Sequence, residues 1–342
     1  WYLTKLARPD AALPCYQAVI ATDTNNEAAL EGMASLFRTT QQYTELGQVL
    51  LRRADAATNP AKARDYRAEA AELLETRLNE PAKGRELYEQ VIEADPGHMK
   101  AGDALLRIYE KEKNSRGILR ILERRADALR GPERCDALVR IAGIYEELKE
   151  FSEAVKRYEQ ALVADDSNLK ALTSLEQIFI KSSKFQELLG NLERQAELAS
   201  TPRQKIAFFE RIAKIWEDEF LDHDKAAKAL EAILEVDPAH EAALDGLGKH
   251  YRALNRWEEV AGVYERQLKL TTEKTRRLEI LLLRARVLSD HVGAPDRAIK
   301  VYEEVLEIEP GHAGALETVA MLREQAGDAA AALKAIEALA EK

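Results

Sequence analysis

The chain has two cysteines in 342 residues, Cys15 and Cys135. They fall in different segments of the chain, so they make no disulfide framework and favour a reducing, cytoplasmic compartment. Aromatic residues amount to 6% and charged residues to 32%, with alanine and leucine abundant. That composition suits helices that stack small side chains and solvate their outer faces. No apolar run approaches the length of a membrane span, and no Gly/Ser- or Pro-rich stretch marks a linker. The net charge of −10 argues against a nucleic-acid partner, which calls for a basic face with interleaved aromatics. Signatures of catalysis are missing too: there is no Gly-x-Ser-x-Gly, no Cys-x-x-Cys, no Gly-Lys-Ser/Thr and no His-Glu-x-x-His. The reading is of a protein that is not an enzyme and has no cofactor or metal.

What the chain does have is self-similarity. An acid recurs at Asp23, Asp95, Asp165, Asp237 and Glu309, in steps of 72, 70, 72 and 72 residues, and a fixed period of that kind means a repeat array. Seven places earlier stand Tyr16, Tyr88, Tyr158, Leu230 and Tyr302. Fourteen places later stand Phe37, Tyr109, Phe179 and Tyr251, with Arg323 breaking the series. Small residues line up at Ala12, Gly84, Ala154, Ala226 and Ala298, where a neighbouring helix can approach closely. Proline follows the acid at Pro96, Pro238 and Pro310 and there ends one helix and begins the next.

Between these marks lies a second, more divergent hairpin. Its first helix carries Ala71, Ala142, Ala213 and Ala285, each followed three residues on by Leu74, Tyr145, Trp216 or Leu288. Leu46, Ile118, Leu188 and Val260 are followed at i+4 by Leu50, Leu122, Leu192 and Tyr264, the spacing of one helical face. Hairpins are expected to begin near Glu27, Arg64, Met99, Cys135, Leu169, Ile206, Glu241, Leu278 and Ala313, in alternate steps of about 37 and 35 residues.

The run Leu138, Ile141, Ala142, Tyr145, Ala154, Tyr158 resembles the tetratricopeptide repeat, although the usual proline is Asp166 here. The resemblance extends over essentially the whole chain, in the manner of long bacterial arrays that alternate two unlike hairpins. It implies an all-α solenoid, a right-handed superhelix of antiparallel helical hairpins. Residues 1–342 are then one domain of about nine and a half hairpins, the first truncated. Tyr2 falls in line with Trp216 at the tail of a helix, so the native N-terminus is expected upstream.

Histidine is tested first for chemistry, as the commonest metal ligand and general base. His98, His240 and His312 share one repeat position with Asn26 and Asn168 and read as helix starts, whereas His223, His250 and His291 read as isolated. Gly246 and Gly248 hint at a phosphate loop but align with plain helix in the other copies. A column of Arg52, Arg124, Arg194 and Arg266, preceded by Glu123, Glu193 and Glu265, reads as structural, pairing with neighbouring acids on the outer side.

By the same resemblance the first helix of each hairpin lines a concave groove. Candidate groove pairs, each at i and i+4, are Glu31 and Ser35, Asp103 and Arg107, Thr173 and Gln177, Asp245 and Lys249, and Glu317 and Met321. The lysine and asparagine arrangement that clamps a carboxy-terminal tail in some family members is absent. A column led by Glu31, Asp103, Asp245 and Glu317 suits a basic or polar segment. The function expected is a non-catalytic protein-interaction scaffold that binds a protein or peptide partner. Two other readings are a regulatory or docking region of a larger enzyme, such as a signalling kinase, and an architectural spacer that self-associates.

Overall fold

A computed structural model describes residues 9–340. The helix remnant expected around Tyr2 lies outside those residues. Among the described residues there are nineteen α-helices and no strand. The chain divides into two compact units, residues 1–171 and 172–342. In the first stand α1 (Pro9–Thr22), α2 (Glu27–Thr39), α3 (Tyr43–Ala56), α4 (Pro60–Thr76), α5 (Pro81–Ala94), α6 (Met99–Lys111), α7 (Ser115–Ala128), α8 (Gly131–Glu147) and α9 (Phe151–Ala164). Then come α10 (Leu169–Lys181), α11 (Phe185–Leu198), α12 (Pro202–Asp218), α13 (His223–Val236), α14 (Glu241–Ala253), α15 (Trp257–Leu270), α16 (Lys274–Val287), α17 (Pro295–Ile308), α18 (Ala313–Gln325) and α19 (Ala329–Ala340). A π-helical turn, Leu288–Val292, continues α16.

Lengths cycle through 13, 14, 17 and 14 residues from α2 to α13, so the two hairpin types differ chiefly in their first helix. Expected starts at Glu27, Met99, Leu169, Glu241 and Ala313 coincide with helix starts, whereas α4, α8, α12 and α16 begin one turn before Arg64, Cys135, Ile206 and Leu278. The extra turn is set by Pro60, Pro132 and Pro202 near the N-termini of α4, α8 and α12, where a missing N–H costs nothing.

Each hairpin closes through one residue in the left-handed region: Gln41, Asn79, Lys113, Lys149, Ser183, Leu221, Asn255, Gly293 and Gly327. In the first hairpin type the next residue donates its N–H back to the carbonyl of Phe37, Tyr109, Phe179, Tyr251 or Arg323, each at 2.9 Å. This is the Schellman closure, which satisfies carbonyls that a helix end leaves bare. In the second type the loop is one residue wider, with Glu80, Asp222 and Ala294 reaching Leu74, Trp216 and Leu288. The exception explains part of the 70-residue step: Glu150 closes on Tyr145 with the shorter loop. The other missing residue is lost in the link between α7 and α8, where only Leu129 and Arg130 intervene.

The recurring acids organise the opposite links. Asp23, Asp95, Asp165 and Asp237 accept the N–H two residues on, at 3.0 to 3.2 Å. The side chains of Asn26 and Asn168 then cap the next helix by accepting from Ala29 and Ala171. His98, His240 and His312 do the same through Nδ1, accepting from Ala101, Ala243 and Ala315 at 3.1 to 3.2 Å. The histidine column is therefore a capping column.

Packing follows the small residues. Gly84, Ala154, Ala226 and Ala298 are buried where α5, α9, α13 and α17 cross α4, α8, α12 and α16 at Ala71, Ala142, Ala213 and Ala285. A Cβ on Gly84 would stand 2.9 Å from the carbonyl oxygen of Ala71. Gly246, one of the suspected loop glycines, lies within α14 and leaves room for the Leu230 side chain, 2.8 Å from where its Cβ would stand. Each buried leucine, such as Leu50 or Leu192, contributes about 1.5–3 kcal/mol, more than a surface ion pair, so burial dominates.

Replacing His240 by Ala should lower stability by about 1 kcal/mol through loss of its cap, whereas His240→Asn should not; urea unfolding reads both. Ala154→Leu should cost about 1–3 kcal/mol by overpacking the crossing. Substituting Leu for the exposed Val163 should change little.

Candidate partner-binding face

All ten candidate groove residues are exposed, while the residues between them on the same helices are buried or half-buried. In the first unit Glu31 and Ser35 project from α2, and Asp103 and Arg107 from α6. In the second, α10 carries Thr173 and Gln177, α14 carries Asp245 and Lys249, and α18 carries Glu317 and Met321. The i, i+4 spacing puts each pair on one face.

Five of their six charges, however, are engaged. Asp103 accepts from Arg125 of α7 at 2.9 Å, Asp245 accepts from Gln267 of α15 at 2.7 Å, and Glu31 stands 3.8 Å from Arg53 of α3. On the other side Arg107 pairs with Glu75 of α4, and Lys249 with Glu217 of α12. The acidic column is thus flanked by a second column, Arg53, Arg125, Gln195 and Gln267, that the sequence reading passed over. It sits one residue after the uniform arginine column and escaped notice because its identity changes along the chain. Gln195 closes a buried network: it donates to Glu176 at 2.6 Å and to Asn191 at 2.7 Å, and Glu176 accepts from Arg211 at 2.8 Å.

In the uniform arginine column Arg266 makes an exposed ion pair. Arg266 donates to Glu231 at 2.8 Å, and the same carboxylate accepts the Tyr251 hydroxyl. Burial and Glu231 push that phenol up to about 12, so it stays a donor at neutral pH. Arg323, which breaks the aromatic series, donates to Glu303 at 2.8 Å and takes over the tyrosine's hydrogen bond. Of the preceding acids, Glu123 accepts from Tyr145 and Arg157, and Glu265 from Arg284.

Two histidines read as isolated are paired. Nδ1 of His223, at the start of α13, lies 3.0 Å from Nδ1 of His250 in α14, and one ring must donate while the other accepts. Glu217 faces the other edge of His250 at 3.5 Å, and Lys249 holds that carboxylate below its usual range. His250 is only 1% exposed, and burial keeps its imidazole below the ordinary value. His291 stacks on Trp257 with ring centres 3.8 Å apart. Among the described residues no group of three or more His, Cys, Asp or Glu could hold a metal ion, and no helix is long and apolar enough to cross a membrane.

The sequence profile of the tetratricopeptide repeat matches residues 137–170 and 243–278, one segment in each unit. Those two segments are tetratricopeptide repeats. Within each unit the helical hairpins form an all-α solenoid, the architecture of an interaction scaffold. Comparison with curated proteins found no match. Among solved structures, a crystal structure of MamA is 17% identical, covering 59% of this chain and 93% of that one, with a TM-score of 0.30. The Naa15/Naa10 complex bound to HypK-THB is 15% identical over 95% of this chain and 59% of that one, at 0.37. The tetratricopeptide domain of P58(IPK) is 16% identical over 96% and 87%, at 0.27.

Because the folded state resists protonation of His250, its contribution to the stability of the protein is complete above the ordinary imidazole value of 6.5 and is lost as the pH falls through the depressed one. Urea midpoints should therefore drop more between about pH 7.5 and 5.5 in the parent than in His250→Phe. Equal drops would place the acid sensitivity elsewhere.

Proposed function

We propose that the chain is a non-catalytic scaffold whose units receive an extended, basic or polar segment of a partner protein on the face formed by the first helices of the first hairpin type. The observation that carries this reading is the exposure of all ten positions, Glu31, Ser35, Asp103, Arg107, Thr173, Gln177, Asp245, Lys249, Glu317 and Met321, on helices whose intervening residues are buried or half-buried. The pairs that engage the charged members are solvent-exposed on at least one side, each worth about 0–1 kcal/mol, so a partner's charges and amides can exchange with them at little cost. A basic side chain meeting Asp103 or Asp245 replaces Arg125 or Gln267 and frees those groups for the partner's backbone carbonyls. Six of the ten positions carry charge, which suits electrostatic steering of the encounter.

The test is affinity capture from the source lysate with the parent chain beside a variant carrying Glu31, Asp103, Asp245 and Glu317 all changed to Ala. Retention of a partner by the parent and its loss by the variant, at unchanged helicity, is the expected outcome. Equal capture by both would move the binding surface to another face.

A further inference from the structure

The column that flanks the candidate face is satisfied in three copies and open in the fourth. Arg125 meets Asp103 at 2.9 Å and the Met99 carbonyl at 3.0 Å. Gln195 and Gln267 are hydrogen-bonded to Glu176 and Asp245 at 2.6 and 2.7 Å. Arg53 is different. Its side chain is 9% exposed, its Nε has no partner, and its one hydrogen bond is from Nη2 to the neutral Tyr66 hydroxyl at 2.9 Å. Arg125 leaves its Nε equally bare, but its charge is met by a hydrogen-bonded carboxylate. For Arg53 the nearest carboxylate, Glu31, is beyond hydrogen-bond distance at 3.8 Å, with its side chain 69% exposed. A guanidinium so far removed from water and without a hydrogen-bonded anion is costly to hold, and a carboxylate is the group whose geometry relieves it.

Arg53 also lines a recess of about 260 Å³ between α2, the end of α3 and the start of α4. Leu30 and Ala56 give it an apolar wall, Tyr66 closes its inner side against the guanidinium at 4.2 Å, and Lys62 stands at the rim. The recess belongs to the repeat rather than to one loop. Nine of its ten lining positions recur, 214 residues on, around a second cavity of about 320 Å³ in the other unit. There Gln267 replaces Arg53, Ile280 replaces Tyr66, Glu273 replaces Asn59 and Arg276 stands in for Lys62, so the buried guanidinium, not the cation at the rim, is particular to the first recess.

We infer that the recess over Arg53 binds the side-chain carboxylate of an aspartate or glutamate in the partner segment. This rests on the scaffold reading and assigns one anchor of the segment: its methylenes lie against Leu30 and Ala56, and its carboxylate joins Arg53 to Lys62. The anchor is an internal acidic residue, since the recess opens on α2 beside Glu27 and Glu31, where the segment continues along the face.

The experiment titrates the full chain with N-acetyl-L-glutamate α-methylamide and with its glutamine counterpart, following the Arg53 Nε–H and Tyr66 ring resonances by NMR. Arg53→Gln removes the charge with a residue that two other copies carry at that position, and Arg125→Gln is the matched control. The glutamate probe should give saturable shifts at Arg53 and Tyr66, weakened about tenfold or more in Arg53→Gln and unchanged in Arg125→Gln. The glutamine probe should give none. Absence of saturation, equal response to both probes, or an unaltered response in Arg53→Gln overturns the assignment. Because the probe is a single residue, such a result leaves the scaffold reading to the capture experiment, whereas equal capture by the parent and the quadruple variant moves the partner segment to another face, and a saturable response of Arg53 to the glutamate probe then reports a carboxylate site apart from that segment.

Discussion

The close crossing of two helices within each hairpin of the second type is the constraint on which the rest of the structure depends. Ala142 and Ala154, Ala213 and Ala226, and Ala285 and Ala298 are buried where their helices meet, and at Gly84 the approach is so tight that a Cβ would stand 2.9 Å from a backbone oxygen. That closeness leaves no room for large side chains at the crossing itself. Larger ones lie beyond it, as Tyr158 does with its hydroxyl 3.3 Å from Glu146 of the partner helix. A single hairpin of this kind cannot bury its own apolar surface, so stability resides in the stacking of neighbours. Clusters such as that joining Val260, Ile280, Val301 and Val319 across successive hairpins are the result.

Polar contacts then fix how neighbours sit, without supplying most of the energy. Tyr109 bonds Glu89, Tyr251 bonds Glu231, and Arg323 bonds Glu303, three copies of one contact made by two kinds of donor. Where the aromatic is Phe37 the corresponding acid is Gln17, so the donor and the charge disappear together. The same economy appears on the candidate binding face, where acids of the first helices lean on Arg or Gln of the second. Such a face presents many polar groups at small net charge. It favours a partner that offers matching hydrogen bonds along a segment over one that merely carries opposite charge.

Departures from the repeat are where individuality enters. The open position at Arg53, the buried network of Glu176 and Gln195, and the imidazole pair of His223 and His250 each occupy places that other copies fill with ordinary packing or exposed pairs. An array of near-identical units gains specificity at the sites where one copy differs, because the scaffold holds the differing side chain in a position the other copies have already shaped.

The sequence by itself determined the all-α class, the repeat, the caps and the exposed pairs. Periodicity, small-residue columns and Asn or His before a helix act locally, through backbone geometry that does not depend on what packs alongside. Helix starts in the second hairpin type were misjudged by one turn, since the family pattern locates the crossing residues but not the proline-led extension before them. Only the tertiary structure decided which charges are spent. Whether Asp103 is free or tied to Arg125, whether His223 meets His250, and whether Arg53 has a carboxylate within hydrogen-bond distance depend on how closely successive helices pack, which repeat spacing does not state. A difference of about 1 Å, such as that between the 2.9 Å and 3.8 Å pairs in one column, separates a satisfied cation from an open one.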